Sequence, residues 1–271
     1  MMRHHLNTWF SLASLFLVSS FFLLASCVTG NDTDNSDPGV GGSTARFVIQ
    51  KGHLITIDSD YLQVFSLENP EQPKIVDEFT VRWGTVLETI YPYQENRLLI
   101  GTNDGAFIMD HSTPGELSVV MIANHVTSCD PVIAHGSIMY VTLRNGRECG
   151  VDIQTDEGVN QLLVYDISEL GIVDSDTQEV GLATLLKTIE LDQPWGLGIN
   201  GDSLFVCVND GVVELDIATP SDPQIIGDYS AQCNDIIAST DPMILTHSSG
   251  IRLMQNSDPG LTELAVIRAG E

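Results

Sequence analysis

The sequence predicts an all-β fold, and within that class a β-propeller built of four-stranded antiparallel blades. From residue 45 onward the chain repeats a unit of roughly 40 residues, in which short apolar stretches alternate with turns rich in Gly, Asp and Pro. Four short strands in that length are typical of one propeller blade. No apolar pattern with the 3.6-residue period of an amphipathic helix runs for a useful length after residue 45.

Five such units follow one another along the chain. Their ranges are 46–79, 88–122, 130–191, 195–229 and 235–267. The first residues of successive units are separated by 42, 42, 65 and 40 residues. The separation of 65 residues includes an insertion, which is divided between two loops of the third unit, 147–159 and 171–184. A four-stranded unit is too small to bury its own faces, so repeated units must pack side by side.

The unit count predicts five blades, with six as the alternative. The first unit begins with an inner strand and the last unit ends with an outer one, so we expect the ring to close without a strand borrowed from the other terminus. The seam between the first and last blades would then be held by side chains alone.

Within the units, the turns Asn103-Asp104-Gly105 and Asn209-Asp210-Gly211 predict hairpin turns with positive φ rather than phosphate or metal loops.

Several stretches of the repeat resemble a known family. NDGVVELDIATPSDPQIIG, YLQVFSLENPEQPKIV and LLVYDISEL are similar to LVIVD-repeat proteins, whose blades carry the pattern GLxVxDISxPxxPxxVG. The resemblance covers about residues 41–267 and points to an exported subgroup, although MDHSTPG in the second unit and MQNSDPG in the fifth depart from the pattern at surface turns. The resemblance implies a β-propeller and no assigned catalytic activity.

The N-terminus predicts export and lipid attachment. Arg3 precedes an apolar run of 15 residues, 10–24, which is too short for a membrane span but suits a secretory signal. Leu24-Ala25-Ser26-Cys27 resembles the bacterial lipobox, so we expect cleavage before Cys27 and a lipid, including palmitate, on its sulfur. The alternatives are an ordinary signal peptide with a chance cysteine and an uncleaved membrane anchor.

These features predict three regions and a location in the cell envelope. Residues 1–26 form the signal peptide, 27–44 a flexible acidic tether without the apolar mass needed to fold, and 45–271 the propeller. Val28 is not the Asp that marks retention in the inner membrane of some bacteria, which favours the outer membrane. The formal net charge of −26 excludes nucleic acid as a partner.

Candidate site residues come from aligning the units, because the residue that opens each inner strand is expected near one mouth of the central channel. These openings are Arg46, Glu88, Asp130, Trp195 and Asp235. They predict either a structural network in which Arg46 bridges carboxylates, a cup that binds a small polar ligand or a cation such as Ca²⁺, or an acid–base pair. No other cofactor is expected.

Four cysteines remain after Cys27, and export favours their oxidation. Cys129 and Cys149 flank the first two strands of the third unit and predict a disulfide within that blade. Cys207 and Cys233 predict a second disulfide between the fourth and fifth units. Free buried cysteines are the alternative.

Two functional classes remain open. The motifs GxSxG, the P-loop and HExxH are absent from the sequence, which favours a non-enzymatic binding or scaffold module for a protein, peptide or glycan. The alternative is a cation-assisted hydrolase, which requires the carboxylates at the channel mouth to converge unpaired in an open cup.

Overall fold

The computed structural model describes residues 42–81, 85–113, 117–126, 128, 131–145, 159–170, 180–239, 241–257 and 260–270. Within these ranges the regular structure is entirely β, and no helix long and apolar enough to cross a membrane occurs there. Cys27, Cys129, Asp130 and Cys149 lie outside the described residues, as do the signal peptide and the tether up to residue 41.

The strands form five sheets, numbered here in chain order. Sheet 1 contains β1 (Phe47–Gln50), β2 (His53–Ile57), β3 (Tyr61–Ser66) and β4 (Lys74–Thr80). Sheet 2 contains β5 (Leu87–Tyr93), β6 (Arg97–Thr102), β7 (Gly105–Asp110) and β8 (Ser118–Asn124). Sheet 3 contains β9 (Val132–His135), β10 (Ile138–Leu143), β11 (Gln161–Asp166) and β13 (Thr184–Glu190). Sheet 4 contains β14 (Leu197–Asn200), β15 (Ser203–Val208), β16 (Gly211–Asp216) and β17 (Gln224–Tyr229). Sheet 5 contains β18 (Asp235–Ile237), β19 (Met243–His247), β20 (Gly250–Ser257) and β21 (Gly260–Arg268).

The prediction of four-stranded antiparallel units is confirmed. In every sheet these four strands pair with their neighbours in chain order, and each pairing is antiparallel. The sheets are also equivalent in detail, because each has a β-bulge between its third and fourth strands. A bulge increases the local twist, so the outer strand is turned in the same way in all five sheets.

One strand was not predicted. A short strand, β12 (Gly181–Leu182), pairs in parallel with β8 and gives sheet 2 a fifth strand. It comes from the insertion after β11, and the N–H of Ala183 extends the contact by donating to the carbonyl of Ile122 at 2.9 Å. Two residues carry no alternating pattern, so periodicity could not reveal this strand.

The apolar core lies between consecutive sheets rather than within them. Four clusters join sheet 1 to 2, 2 to 3, 3 to 4, and 4 to 5. The first strands β1, β5, β9, β14 and β18 contact one another in that order and form the inner edge. In the part of the chain that the structure describes, no apolar cluster joins sheet 5 to sheet 1.

The disulfide between Cys207 and Cys233 is confirmed. Their Cα atoms are 5.3 Å apart, and the bond ties β15 of sheet 4 to the residues just before β18 of sheet 5. Both side chains lie in the apolar cluster between these two sheets.

The two Asn-Asp-Gly segments are hairpin turns, but the prediction of positive φ was wrong. None of their residues is among the described positions with positive φ. Glycine is needed for a different reason: a Cβ on Gly105 would lie 2.6 Å from the carbonyl oxygen of Ala123, and one on Gly211 would lie 2.1 Å from that of Tyr229. The third strand therefore begins with glycine because the fourth strand crosses it too closely for a side chain.

Candidate functional site

The residues before β1 cross the inner edge of the fold. We call residues 42–45 the N-terminal segment. The N–H of Leu197, in sheet 4, donates to the hydroxyl of buried Ser43 at 2.7 Å. The N–H of Ile90, in sheet 2, donates to the carbonyl of Ala45 at 2.8 Å. The segment therefore links sheet 2 to sheet 4, which are separated by sheet 3 in the series.

Asp235, the first residue of β18 in sheet 5, binds Ser43 and Thr44 of the N-terminal segment. Its Oδ1 accepts hydrogen bonds from Ser43 Oγ at 3.1 Å and from the N–H of Ile236 at 2.9 Å. Its Oδ2 accepts from Thr44 Oγ1 at 2.7 Å and from the N–H of Thr44 at 3.3 Å. Both carboxylate oxygens are thus occupied by the chain itself.

Burial dominates the electrostatics of this carboxylate. The Asp235 side chain is removed from water, which raises its pKa, and the hydrogen bonds from Thr44, Ile236 and Ser43 only partly oppose that effect. Among the described residues there is no group of three His, Cys, Asp or Glu side chains that could hold a metal ion.

Trp195 lies next to Asp235 in the fold. Gly196, which follows Trp195, donates its N–H to the carbonyl of Asn234 at 2.9 Å. The residues that begin sheets 4 and 5 are therefore adjacent. The guanidinium carbon of buried Arg144 lies 3.5 Å from the centre of the Trp195 ring. Sequence reasoning did not select Arg144 because it follows a second strand, β10, rather than opening a first one.

The remaining predicted mouth residues have different surroundings. Arg46 is exposed, and its backbone carbonyl accepts the N–H of Ile57 at 3.0 Å. Its charge adds a minor contribution to lowering the pKa of Asp58, whose main cause is the hydrogen bond from the backbone of Ser59. Glu88 is half-buried on β5, and Asp130 lies outside the described residues.

A concave site lies elsewhere, between sheets 1 and 2. We call it the intersheet cavity; its volume is about 400 Å³. Most of its wall is apolar, and three polar residues complete the lining. The lining residues are Phe79, Val81, Phe107, Val119, Ile122, Val180, Thr85, Asp104 and Asn124. The sequence carried no signal for this cavity, because its apolar residues fit the ordinary pattern of outer strands.

The polar residues of the cavity are organised around Asp104. Its Oδ1 lies 3.1 Å from Thr102 Oγ1, whose single proton has a nearer acceptor in the carbonyl of Gly105 at 2.8 Å. Its Oδ2 accepts a long hydrogen bond from Thr85 Oγ1 at 3.5 Å. The carboxylate therefore lies in the lining beside two threonine hydroxyls. The cavity therefore combines an apolar body with a small polar group around Asp104.

Comparisons with known proteins identify the fold and no family. No family model and no curated protein matches the sequence. Among solved structures, the chain is similar to a protein from Lactobacillus plantarum, with a TM-score of 0.57 and 12% identity over 82% of this chain and 67% of that one. It is similar to apo AztD from Citrobacter koseri, with a TM-score of 0.54 and 13% identity over 81% of this chain and 61% of that one.

The periplasmic gluconolactonase PpgL of Pseudomonas aeruginosa is also similar, with a TM-score of 0.55 and 11% identity over 83% of this chain and 68% of that one. These are propeller-type folds, so the described sheets have a propeller-type architecture. The chain spans about 61% to 68% of the length of these proteins. Identities this low indicate shared fold alone.

Proposed function

We propose that this chain is a lipid-anchored, non-enzymatic binding module of the bacterial cell envelope, and that its five sheets are the blades of a five-bladed propeller. The observation that carries the binding role is the intersheet cavity. Ligand sites are typically concave and mainly apolar, with a few placed polar groups, and measure about 300–1,000 Å³. The cavity, at about 400 Å³, has that composition and falls in that range.

The state of Asp235 supports a binding role over catalysis. A hydrolase at the channel mouth requires an unpaired carboxylate in an open cup. Asp235 instead accepts hydrogen bonds on both oxygens from Ser43, Thr44 and Ile236. The same contacts argue against a Ca²⁺ site at this carboxylate, because a cation would have to displace the N-terminal segment.

The chemistry of the cavity indicates the kind of ligand. Phe79, Phe107 and Val119 contribute apolar wall, so the buried part of the ligand should be apolar. Among the partners that the sequence allows, a protein or peptide supplies such groups more readily than a glycan does. We therefore favour a partner polypeptide whose apolar side chains enter the cavity.

Filling the cavity tests this proposal. A neutral fluorescent probe, N-phenyl-1-naphthylamine, is titrated into the lipid-free chain carrying Cys27→Ser. Saturable binding is expected, and Val119→Phe, which places a ring in the cavity, should weaken it at least tenfold. Leu185→Phe is the matched control, because Leu185 is an exposed apolar residue on β13 of sheet 3. Equal binding by the Val119→Phe variant and the parent chain would refute the assignment.

The membrane anchor is tested separately. Cells expressing the chain are labelled with radioactive palmitate and fractionated, and the label and the membrane location should both disappear in Cys27→Ser. Separation of inner and outer membranes then tests the preference for the outer membrane that Val28 suggests. Label that persists in Cys27→Ser would rule out lipidation at this residue.

Calorimetry tests the cation-assisted hydrolase alternative. Calcium is titrated into the lipid-free chain and into its Asp235→Asn variant, and no saturable heat is expected from either. Saturable binding that disappears in Asp235→Asn would show a cation site at this carboxylate and lead to a screen for hydrolysis. The LVIVD-repeat resemblance stays a prediction, since no family model matches.

A further inference from the structure

The fourth strand of every sheet carries an aliphatic residue at the same place. At each β-bulge, the pairing between the third and fourth strands skips one residue of the fourth strand. We call the skipped residues the bulge residues; in the order of the sheets they are Val76, Val120, Leu186, Ile226 and Leu264. Because all five are aliphatic, this position is suited to contact with another apolar group.

The bulge residue is buried in sheet 2 and exposed in the other four sheets. Val120 is 5% exposed, whereas the other four are between 44% and 59% exposed. Val120 belongs to the apolar cluster between sheets 2 and 3, and Ala183 of the insertion packs against that cluster. Sheets 1, 3 and 4 also pack against a following sheet, yet their bulge residues stay exposed. A neighbouring sheet is therefore not enough to cover this position.

Sheet 2 differs from the others in having the extra strand β12. This strand lies along the outer edge of β8, where Gly181 pairs with Met121 and Leu182 pairs with Ile122. Met121 directly follows the bulge residue Val120. The chain itself therefore shows what covers this position, namely a short extended segment that adds to the outer edge of the sheet as a parallel strand.

The outer edge of sheet 4 is the uncovered position most like that of sheet 2. Ile226 and its neighbour Ile225 are 59% and 54% exposed, and β17 is the last strand of its sheet. The residue after the bulge, equivalent to Met121, is Gly227. Because glycine has no side chain, the edge of β17 is open to the close approach of another backbone.

The other exposed bulges are less suited to a further strand. In sheet 1 the residue after the bulge is Asp77, whose carboxylate accepts the N–H of Leu117 at 2.8 Å. In sheet 3 it is Lys187, which forms an ion pair with Asp222. In sheet 5 the charged residue Glu263 directly precedes the bulge residue.

Charge indicates what kind of segment would bind at sheet 4. Asp228, which is equivalent to Ile122 in the pairing, is exposed beside Gly227. The chain as a whole carries a formal net charge of −26. Basic residues in the partner would complement this edge, and apolar residues would cover Ile225 and Ile226.

We propose that the outer edge of β17 is a docking site for an extended peptide segment that carries apolar and basic residues and adds to sheet 4 as a parallel strand. In such strand addition, main-chain hydrogen bonds supply affinity and side-chain contacts supply specificity. In sheet 2 the N–H of Ala183 donates to the carbonyl of Ile122 at 2.9 Å. The equivalent N–H of the peptide donates to the carbonyl of Asp228. This inference is independent of the intersheet cavity, which lies between sheets 1 and 2.

Fluorescence anisotropy with a defined peptide tests the proposal. The probe is a labelled synthetic peptide that contains the chain's own stretch VGLAT (180–184) with a lysine added at each end, and it is titrated with the lipid-free chain carrying Cys27→Ser. Saturable binding is expected. Ile226→Ser should weaken it about fivefold or more, because the apolar contact is lost. Asp228→Asn should weaken it about twofold, because one carboxylate facing the lysines is lost.

A second peptide tests the strand pairing itself. Methylation of the alanine nitrogen removes the N–H that donates to the carbonyl of Asp228, so this peptide should bind at least tenfold more weakly than the first. If both peptides bind equally, the segment does not add as a strand and the proposal is overturned.

Leu186→Ser is the matched control, since Leu186 is the exposed bulge residue of sheet 3, and it should leave the binding of the peptide unchanged. Circular dichroism confirms that each variant is folded before it is compared. The absence of saturable binding would overturn the proposal. Binding that Ile226→Ser leaves unchanged would overturn it as well, because the peptide would then lie elsewhere, for example in the place of β12 on sheet 2.

Discussion

Replacing Asp235 by alanine should detach the N-terminal segment and destabilise the fold. The substitution removes the acceptor of four hydrogen bonds. Thr44 is exposed, so its two donors can turn to water, whereas the donors of Ser43 and Ile236 are buried. An orphaned buried donor costs about 1–3 kcal/mol.

Two orphaned donors would therefore cost about 2–6 kcal/mol. Removing a carboxylate that burial already disfavours offsets part of this, so we expect a loss of about 2–4 kcal/mol in the free energy of unfolding. Asp235→Asn keeps one oxygen for the buried donors and should cost about 1 kcal/mol, as should Thr44→Ala. Urea unfolding of the lipid-free chain at pH 7 measures all three.

The pH dependence provides an independent check on the same residue. Burial raises the pKa of Asp235 in the folded state, so the folded chain binds the proton more tightly than the unfolded chain does. The stability from this group is fully present below its unfolded pKa and is lost as pH rises through the folded pKa. The free energy of unfolding of the parent chain, relative to that of Asp235→Asn, should fall as the pH rises from the unfolded to the folded pKa of Asp235. A loss below 1 kcal/mol for Asp235→Ala, or no change relative to Asp235→Asn across the window, would refute the reasoning.

Three further predictions concern the rest of the core. Reducing the bond between Cys207 and Cys233, which lie 26 residues apart, should lower the free energy of unfolding by about 3 kcal/mol, measured in urea with and without reductant. Arg144→Met should cost about 1–2 kcal/mol and change the fluorescence of Trp195, because the charge over the indole is lost; an unchanged spectrum would contradict the stacking. Burial lowers the pKa of His111, so the stability it contributes should be present above its unfolded pKa and be lost as pH falls through the folded pKa. In His111→Gln the loss of stability between pH 7 and pH 5 should be smaller than in the parent chain. Thermal unfolding of both proteins at the two pH values measures this difference.

The repeat was predictable because each unit carries its own signal. Alternating apolar residues and turn residues locate the strands, and the aligned units locate the sheets to within a few residues at most positions. The pairing of Cys207 with Cys233 followed from the same alignment, since both residues fall at the same end of neighbouring units. Local patterns of this kind need no knowledge of distant contacts.

The candidate sites were less predictable because they depend on contacts between distant segments. Ser43 and Asp235 are 192 residues apart, and Ser43 belongs to a stretch that composition alone assigns to a tether. Alignment identified Asp235 as an inner opening, but the partners that occupy its oxygens could not be read from the repeat. The intersheet cavity was hidden for a related reason, because Phe79 and Phe107 look like ordinary strand residues until sheets 1 and 2 are packed together.

The N-terminal segment also has a mechanical consequence. If Cys27 carries a lipid, a pull on that lipid reaches Ser43 and Thr44 before it reaches β1, because these residues lie between Cys27 and β1 along the chain. Tension between the membrane and the domain would then load the hydrogen bonds to Asp235 and Leu197 before it reached any strand pairing. These few bonds would act as the weakest link under force, and would part while the five sheets stayed intact.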